Sequence, residues 1–136
     1  MARPFHPNIV AECPTLTTER AGQCGILSDE ALQFFPPETM KQAIIVVVDK
    51  DNMQVALLGQ KDSKNASHEV IVHTKASLKD CFVHDRTYDP KPGELRLIPF
   101  PLYAEELAKL YDQTARAVTV TFPSEGPTNG AYFYDL

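Results

Sequence analysis

Cys24 is the residue of this sequence best placed to act as a nucleophile. It lies between Gln23 and Gly25 and opens an apolar segment, Ile26 to Phe35, whose spacing favours a helix. A thiol at a helix start is near unpaired backbone N–H groups and the positive end of the helix dipole, and both favour the thiolate. The same N–H groups could hold a developing oxyanion. We therefore predict a candidate nucleophile at Cys24, with a small buried cysteine as the ordinary alternative.

His68 and Asp85 are the candidates for a base and its orienting carboxylate. His68 begins one predicted strand and Asp85 ends the next, so a hairpin would bring them together. With a two-residue turn at Ala76 and Ser77, the two side chains lie directly opposite each other. The carboxylate would then fix the imidazole tautomer and leave the other ring nitrogen to act as a base. A slip of one residue would reverse the faces, so this prediction depends on the register.

The order Cys24, His68, Asp85 resembles the papain-like superfamily in its broad sense. That superfamily includes papain-fold bacterial toxins, glutamine deamidases, bacteriocin-leader peptidases and transglutaminase-like proteins. The resemblance is carried by three segments within residues 21–90, and these are Ala21-Gly-Gln-Cys-Gly25, Ser67-His-Glu-Val-Ile-Val72, and Phe82-Val-His-Asp85 followed by Tyr88-Asp-Pro90.

This resemblance implies a helix that carries the cysteine and packs on a mostly antiparallel sheet. It implies amide hydrolysis or glutamine deamidation of a protein or peptide substrate by a Cys-His-Asp triad, without a metal or other cofactor. By analogy, the small size favours a toxin-type or effector-type domain, for which a cognate inhibitor protein would be a further partner.

The chain departs from the family pattern around the cysteine. Papain-like peptidases usually carry an oxyanion glutamine several residues before the cysteine, where this chain has threonines, and no Trp follows Cys24. Gln23 and Gly25 are therefore the candidates for binding the oxyanion or the substrate. Asp89, which precedes a proline, is an alternative to Asp85 as the third member.

A zinc site is a weaker interpretation of the histidines. His68, His73, Cys81 and His84 would supply four nitrogen and sulfur ligands. His68 and His73 are five residues apart on one strand and so point to opposite faces, as do Cys81 and His84 on the next. We expect His73 and His84 to be polar residues on the outward face, and no metal.

Three cysteines are too few, and odd in number, for a disulfide scaffold. Cys81 alternates with Val83 and is expected in the core. Cys13 lies among prolines and either forms a disulfide with Cys24 or stays reduced. Asn65 begins a glycosylation sequon that we interpret as a chance triplet.

The sequence pattern predicts one α+β domain over residues 1–136, whose helices and strands position the candidate residues. Residues 1–19 are predicted to form an extended leader. The predicted helices run from near Cys24 to Phe35, where Pro36-Pro37 ends the first, and from Leu102 to Tyr111. The predicted strands are Gln42–Asp49 with Met53–Leu58 as its hairpin partner, His68–Thr74, Asp80–Asp85, a short edge strand Leu95–Pro99, Ala117–Phe122 and Ala131–Tyr134.

Composition narrows the function classes. The chain has 136 residues, 43% hydrophobic content and a net charge of −5, from 13 Lys and Arg against 18 Asp and Glu. An acidic balance without a basic cluster argues against nucleic-acid binding. The longest apolar run, Ala43 to Val48, is too short to cross a membrane.

The N-terminus lacks the apolar stretch of a secretory signal. We expect a cytoplasmic protein or one delivered by a non-classical route. The alternative function is a non-enzymatic binding protein, such as an immunity protein, inhibitor or phage accessory factor, that uses an acidic surface or the aromatic residues 132–134.

Overall fold

The computed structural model describes residues 8–58, 67–73, 77–91, 95–123 and 132–136. Two α-helices lie in this part of the chain, α1 (Cys24–Leu32) and α2 (Phe100–Ala108). The strands are β1 (Asn8–Ile9), β2 (Met40–Val48), β3 (Ser67–His73), β4 (Phe82–His84), β5 (Arg96–Pro99), β6 (Ala117–Thr121) and β7 (Tyr132–Asp135). They form one seven-stranded sheet in the order β1-β5-β4-β3-β2-β6-β7, antiparallel except between β1 and β5. The predicted α+β class is confirmed.

The sheet is covered on both faces, which explains the long β-branched run of β2. Alternate residues of β2, Ala43, Ile45 and Val47, enter the main core together with the buried face of α2. Met40 lies on the other side, in a smaller cluster with Ala31 of α1 and Ile71 of β3. The two helices therefore pack on opposite faces of the central strands.

The start of α1 is the part of the fold that was most directly predictable. The helix begins at Cys24 and ends at Leu32, and the next turn brings Phe35 to a buried position before the two prolines. A helix of nine residues is too short to be stable alone. Packing of Ala31 and Phe35 against the sheet therefore holds the segment that carries the thiol.

The prediction that Met53–Leu58 pairs with β2 as a hairpin strand holds only for the first residues of that segment. After the turn at Asn52, Gln54 bridges Val48 and the N–H of Val55 donates to the carbonyl of Val47 at 2.9 Å, but Leu57 then bridges Tyr111 instead of β2. The neighbours of β2 are β3 and β6. These longer partners occupy both edges of β2, while Val55 and Leu57 enter the main core.

Strand β5 forms where a strand was predicted, but it is not an edge. It lies between β4 and β1, which pairs with it in parallel through residues of the leader. The leader also contacts the loop after β4, since the backbone N–H of Thr17 donates to the carbonyl of Tyr88 at 2.9 Å. Residues 8–19 thus brace that loop. No helix in the described part of the chain is long and apolar enough to span a bilayer.

Strands β3, β4, β6 and β7 and helix α2 confirm the remaining predictions, with ends displaced by a few residues. Asn65 of the sequon lies outside the described residues.

Candidate active site

Cys24, His68 and Asp85 meet where α1 begins. Nε2 of His68 lies 2.7 Å from Oδ2 of Asp85, and both side chains are almost completely buried. The other ring nitrogen, Nδ1, is buried and has no partner within ordinary hydrogen-bond limits among the described residues. His68 is the main cause of the lowered pKa of the Cys24 thiol, so the sulfur lies near the ring, and Nδ1 is the ring nitrogen that Asp85 leaves available to it. A loose contact of this kind is common in a catalytic site without substrate.

The predicted register between the two strands is wrong by two residues. Ile71 pairs with His84 and Val72 with Val83, so His68 is not directly opposite Asp85. The connection is longer than a two-residue turn and contains a 3₁₀ turn at Leu78–Asp80, while residues 74–76 lie outside the described ones. A displacement of two residues preserves the faces of both strands. His68 and Asp85 therefore meet diagonally.

Asp85 is a buried carboxylate with four hydrogen-bond donors. Oδ1 accepts from the backbone N–H groups of Thr87 at 2.9 Å and Tyr88 at 2.8 Å. Oδ2 accepts from His68 and, at 2.7 Å, from the hydroxyl of Tyr103. Burial raises the pKa of Asp85, but the charge of His68 and these hydrogen bonds outweigh burial and lower the pKa overall. The carboxylate is thus held as an anion.

Two tyrosines that sequence reasoning did not assign to the site complete this arrangement. The Tyr88 ring stacks on His68 with centroids 3.9 Å apart and planes 4° from parallel. Tyr103 reaches Asp85 from α2 on the main-core side. Burial raises the pKa of both hydroxyls, so they remain protonated. The only sequence signal was the position of Tyr88, three residues after Asp85 in a segment already quoted for the resemblance.

The pKa values of Cys24 and His68 are shifted in opposite directions. Burial lowers the pKa of His68, but the charge and hydrogen bond of Asp85, with a smaller contribution from Cys24, raise it to about 9. The hydrogen bond to His68 lowers the pKa of the Cys24 thiol. Burial opposes this effect, and the backbone N–H of Glu69 reinforces it. Both shifts therefore favour the charged pair, a thiolate beside an imidazolium ion, over the neutral pair.

The two residues predicted to bind an oxyanion flank the thiol. Gln23 immediately precedes α1, is exposed, and its side chain makes no capping hydrogen bond. Gly25 is the second residue of the helix. In the first hydrogen bond of the helix, the N–H of Leu27 donates to the carbonyl of Gln23 at 2.9 Å. The N–H groups of Cys24 and Gly25 therefore have no acceptor within the helix.

Asp89, the alternative third member, has a different partner. Its carboxylate binds the guanidinium of Arg96 and accepts from the backbone N–H of Lys91 at 2.8 Å. The structure brings Asp85 to the His68 ring and holds Asp89 at Arg96. Asp89 thus anchors the loop after β4 to β5.

The other histidines and Cys81 have separate surroundings. His84 is buried, so its predicted place on the outward face is wrong, because both faces of β4 are covered. Its Nδ1 donates to the carbonyl of Arg96 at 3.0 Å, and its ring packs on Phe35. Burial lowers the pKa of His84. His73 is half-buried beside Phe82, and Cys81 is in the core as predicted. Among the described residues, no group of three or more His, Cys, Asp and Glu could hold a metal ion.

Cys13 contrasts with Cys24. No disulfide links the three cysteines, and Cys13 packs half-buried against the main core. Burial raises the pKa of its thiol to about 12, and nearby carboxylates, that of Glu106 first, act in the same direction. Two half-buried thiols of one chain thus have opposite shifts of pKa.

The sequence and the fold were compared with known proteins. No protein-family model, no curated protein and no solved structure matches this chain. The functional assignment therefore depends on the geometry itself, an α+β domain in which a thiol at a helix start meets a buried His–Asp pair.

Proposed function

We propose that this protein transfers an acyl group from an amide through a papain-like triad, with water as the final acceptor. Cys24 is the nucleophile, His68 the general acid and base, and Asp85 the orienting carboxylate. The observation that carries this proposal is the 2.7 Å contact between His68 and Asp85 beneath a thiol whose pKa is lowered. Peptide hydrolysis and glutamine deamidation share the same steps.

The first half of the reaction forms a thioester. The thiolate of Cys24 attacks the amide carbonyl carbon, and the carbonyl electron pair moves to oxygen. As the C–N bond breaks, Nδ1 of His68 gives its proton to the leaving nitrogen, which departs as an amine, or as ammonia in deamidation. In the second half, His68 takes a proton from water, the hydroxide attacks the thioester, and the C–S bond breaks to release a carboxylic acid and restore the thiolate.

The buried contacts of Asp85 support the role of His68. Because Asp85 accepts at Nε2, the proton that His68 donates and recovers is the one on Nδ1, next to the sulfur. Thr87, Tyr88 and Tyr103 hold the carboxylate in place, so the ring keeps one orientation through both halves of the reaction. The substrate oxyanion is stabilised by N–H groups at the start of α1, from Cys24 and Gly25, and by the exposed amide of Gln23.

The substrate of this proposal is a protein or peptide. By analogy of size, we assign the domain to the toxin or effector type, acting on a protein of another cell and held in check by an inhibitor protein. This part of the proposal is tested separately, by expressing the chain in a susceptible cell and comparing its growth with that of cells expressing Cys24→Ala.

The chemical proposal is tested with two substrates, an unstructured protein and a peptide rich in glutamine. New termini report hydrolysis, and released ammonia or a mass gain of about 1 Da per site reports deamidation. We expect Cys24→Ala to abolish either product and Cys13→Ala to leave it unchanged, because Cys13 lies outside the triad. Circular dichroism confirms that both variants fold. Equal product from wild type and Cys24→Ala would refute the triad.

A non-enzymatic binding protein is the second candidate, favoured by the exposed aromatic end of the sheet. Tyr132 and Phe133 of β7 are 46% and 57% exposed, although both are large apolar residues. Phe133 also lines a depression of about 300 Å³ with Lys50 and Arg116. If binding is the function, Phe133→Ser will abolish the cellular effect of the protein, whereas Cys24→Ala will leave it unchanged.

A further inference from the structure

Glu69 places a carboxylate beside the candidate nucleophile. It follows His68 in β3 and, because side chains alternate along a strand, faces the α1 side of the sheet. Its Oε2 accepts from the hydroxyl of Ser28 at 3.2 Å and lies 3.5 Å from where a Cβ atom would stand on Gly25. Gly25 adjoins Cys24, so the carboxylate lies at the first turn of the helix that carries the thiol.

A hydrogen-bond network fixes the position of this carboxylate. Gln42 of β2 donates through Nε2 to the Ser28 hydroxyl at 3.1 Å and to Asp29 at 2.5 Å. The Ser28 oxygen therefore accepts from Gln42 and directs its own hydrogen to Glu69 or to the carbonyl of Gly25, 3.3 Å away. Ser28 is buried, so this network ties Glu69 to the inner side of α1.

The charge of Glu69 has no partner in the described part of the chain. The carboxylates of Asp85, Asp89 and Glu106 each contact a cationic or titratable nitrogen, on His68, Arg96 and Lys109 respectively. Glu69 is half-buried and receives only the hydrogen bond from Ser28. Because an ionised carboxylate offers about four acceptor positions, it can still accept several donors.

We infer that Glu69 gives this site a preference for substrates with a lysine or arginine side chain next to the amide that is cleaved. The inference rests on the proposed function, since it names the substrate class of the same thiol. A cation bound there would gain a charged partner that is only partly screened by water. An acidic side chain in the same position would be repelled.

The first test uses small thiol reagents that differ in charge, because they need no known substrate. Three methanethiosulfonates are compared on the full chain, carrying a trimethylammonium-ethyl group, a sulfonatoethyl group or a methyl group. In each case the Cys24 thiolate attacks the sulfenyl sulfur, a mixed disulfide forms, and methanesulfinate leaves. Mass spectrometry of peptides gives the rate at Cys24.

We expect the ratio of cationic to anionic rates to fall by about tenfold or more in Glu69→Gln. Glutamine keeps an acceptor for Ser28, and any change in the ionisation of the thiol alters all three rates together, so the ratio isolates the charge. Glu105→Gln is the matched control, since Glu105 is exposed on α2, and we expect its ratio to equal that of wild type.

A second test uses peptide aldehydes, which add reversibly to a thiol without a leaving group. Wild type is expected to bind an aldehyde with arginine at its reactive end about tenfold more tightly than one with norleucine, and Glu69→Gln is expected to bind both equally. If Cys24 reacts quickly with the neutral reagent but neither the rate ratio nor this preference changes in Glu69→Gln, the substrate inference alone is overturned. If Cys24 reacts no faster than Cys13 with any reagent, the proposed function fails as well.

Discussion

Tyr88 lies flat against His68, with ring centroids 3.9 Å apart and planes only 4° from parallel. The same residue donates its backbone N–H to Asp85 at 2.8 Å. Tyr88 therefore fixes both members of the pair, the imidazole through its ring and the carboxylate through its main chain. A protonated imidazole also gains from contact with an aromatic face, so this stacking favours the imidazolium form.

Cys24 should be the thiol that reacts first with an alkylating agent. At pH 7 we expect iodoacetamide to modify Cys24 at least about tenfold faster than Cys13 or Cys81, because a lowered pKa supplies thiolate and the other two thiols are buried or have a raised pKa. Quantitative mass spectrometry of the three peptides measures the rates. Similar slow rates at all three would show that the thiol is not activated.

Replacing Asp85 should raise the pKa of the thiol. In Asp85→Asn the imidazolium loses its buried counter-ion, so the pKa of His68 falls and the thiolate loses its partner. We expect the alkylation rate of Cys24 at pH 6.5 to fall about tenfold or more, and the midpoint of its pH profile to move upward.

Asp89→Asn is the matched control for that experiment, because it removes the same charge from a buried carboxylate that binds Arg96 instead. Its alkylation rate should stay within about threefold of wild type. A larger effect from Asp89→Asn than from Asp85→Asn would show that Asp89, and not Asp85, orients the imidazole.

The hydroxyl of Tyr103 should contribute measurably to stability. Tyr103→Phe keeps the ring in the core but removes one donor from Oδ2 of the buried Asp85. We expect a loss of about 1–3 kcal/mol in the free energy of unfolding, measured by urea denaturation. Tyr132→Phe, at a side chain that is 46% exposed, should change it by less than about 0.5 kcal/mol.

The pKa shifts of His68 and Cys24 should make the free energy of unfolding depend on pH. Above the reference pKa of 6.5, the folded chain keeps a proton on His68, whose pKa is about 9, that the unfolded chain has released. This alone makes stability fall as pH rises towards 9. The lowered pKa of Cys24 acts in the opposite sense, because the folded chain releases the thiol proton that the unfolded chain keeps. The two contributions to the pH dependence of stability therefore have opposite signs in the wild type.

Cys24→Ser removes the compensating thiolate but leaves Asp85 to hold the proton on His68. Relative to wild type, we expect its free energy of unfolding to decline between pH 7 and pH 9, by up to about 1.4 kcal/mol per pH unit. Urea unfolding at several pH values measures both slopes. Parallel slopes for the two proteins would contradict a thiolate–imidazolium pair.

The features that could be predicted from the sequence are those with local causes. The start of α1 at Cys24 and its end before the prolines follow from apolar spacing and from the geometry of proline. Strands β3 and β4 were recognisable from their β-branched residues, but their register depends on a connection whose length the pattern does not fix. The two side chains still meet, because the displacement is an even number of residues.

The features that could not be predicted are long-range. Tyr103 was recognisable as an apolar residue of a helix, yet only the packing of α2 on the sheet brings its hydroxyl to Asp85. The predicted pairing of Met53–Leu58 with β2 stops after its first residues, and a local alternation cannot show that β3 and β6 take the two edges of β2. Glu69 gave no signal either, since its role depends on Ser28, 41 residues away.

The pairing of β2 with β6 has a consequence for folding. It joins residues such as Ile44 and Thr121, so a long loop must close before the middle of the sheet is complete. High contact order of this kind slows folding to about milliseconds or longer. Residues 24–85 are synthesised first, but Tyr103, which donates to the buried Asp85, follows them in α2, so the His68–Asp85 pair is completed only after α2 packs on the sheet. Because the lowered pKa of the Cys24 thiol depends first on His68, we expect that shift to develop late in folding, once the His68–Asp85 pair is buried.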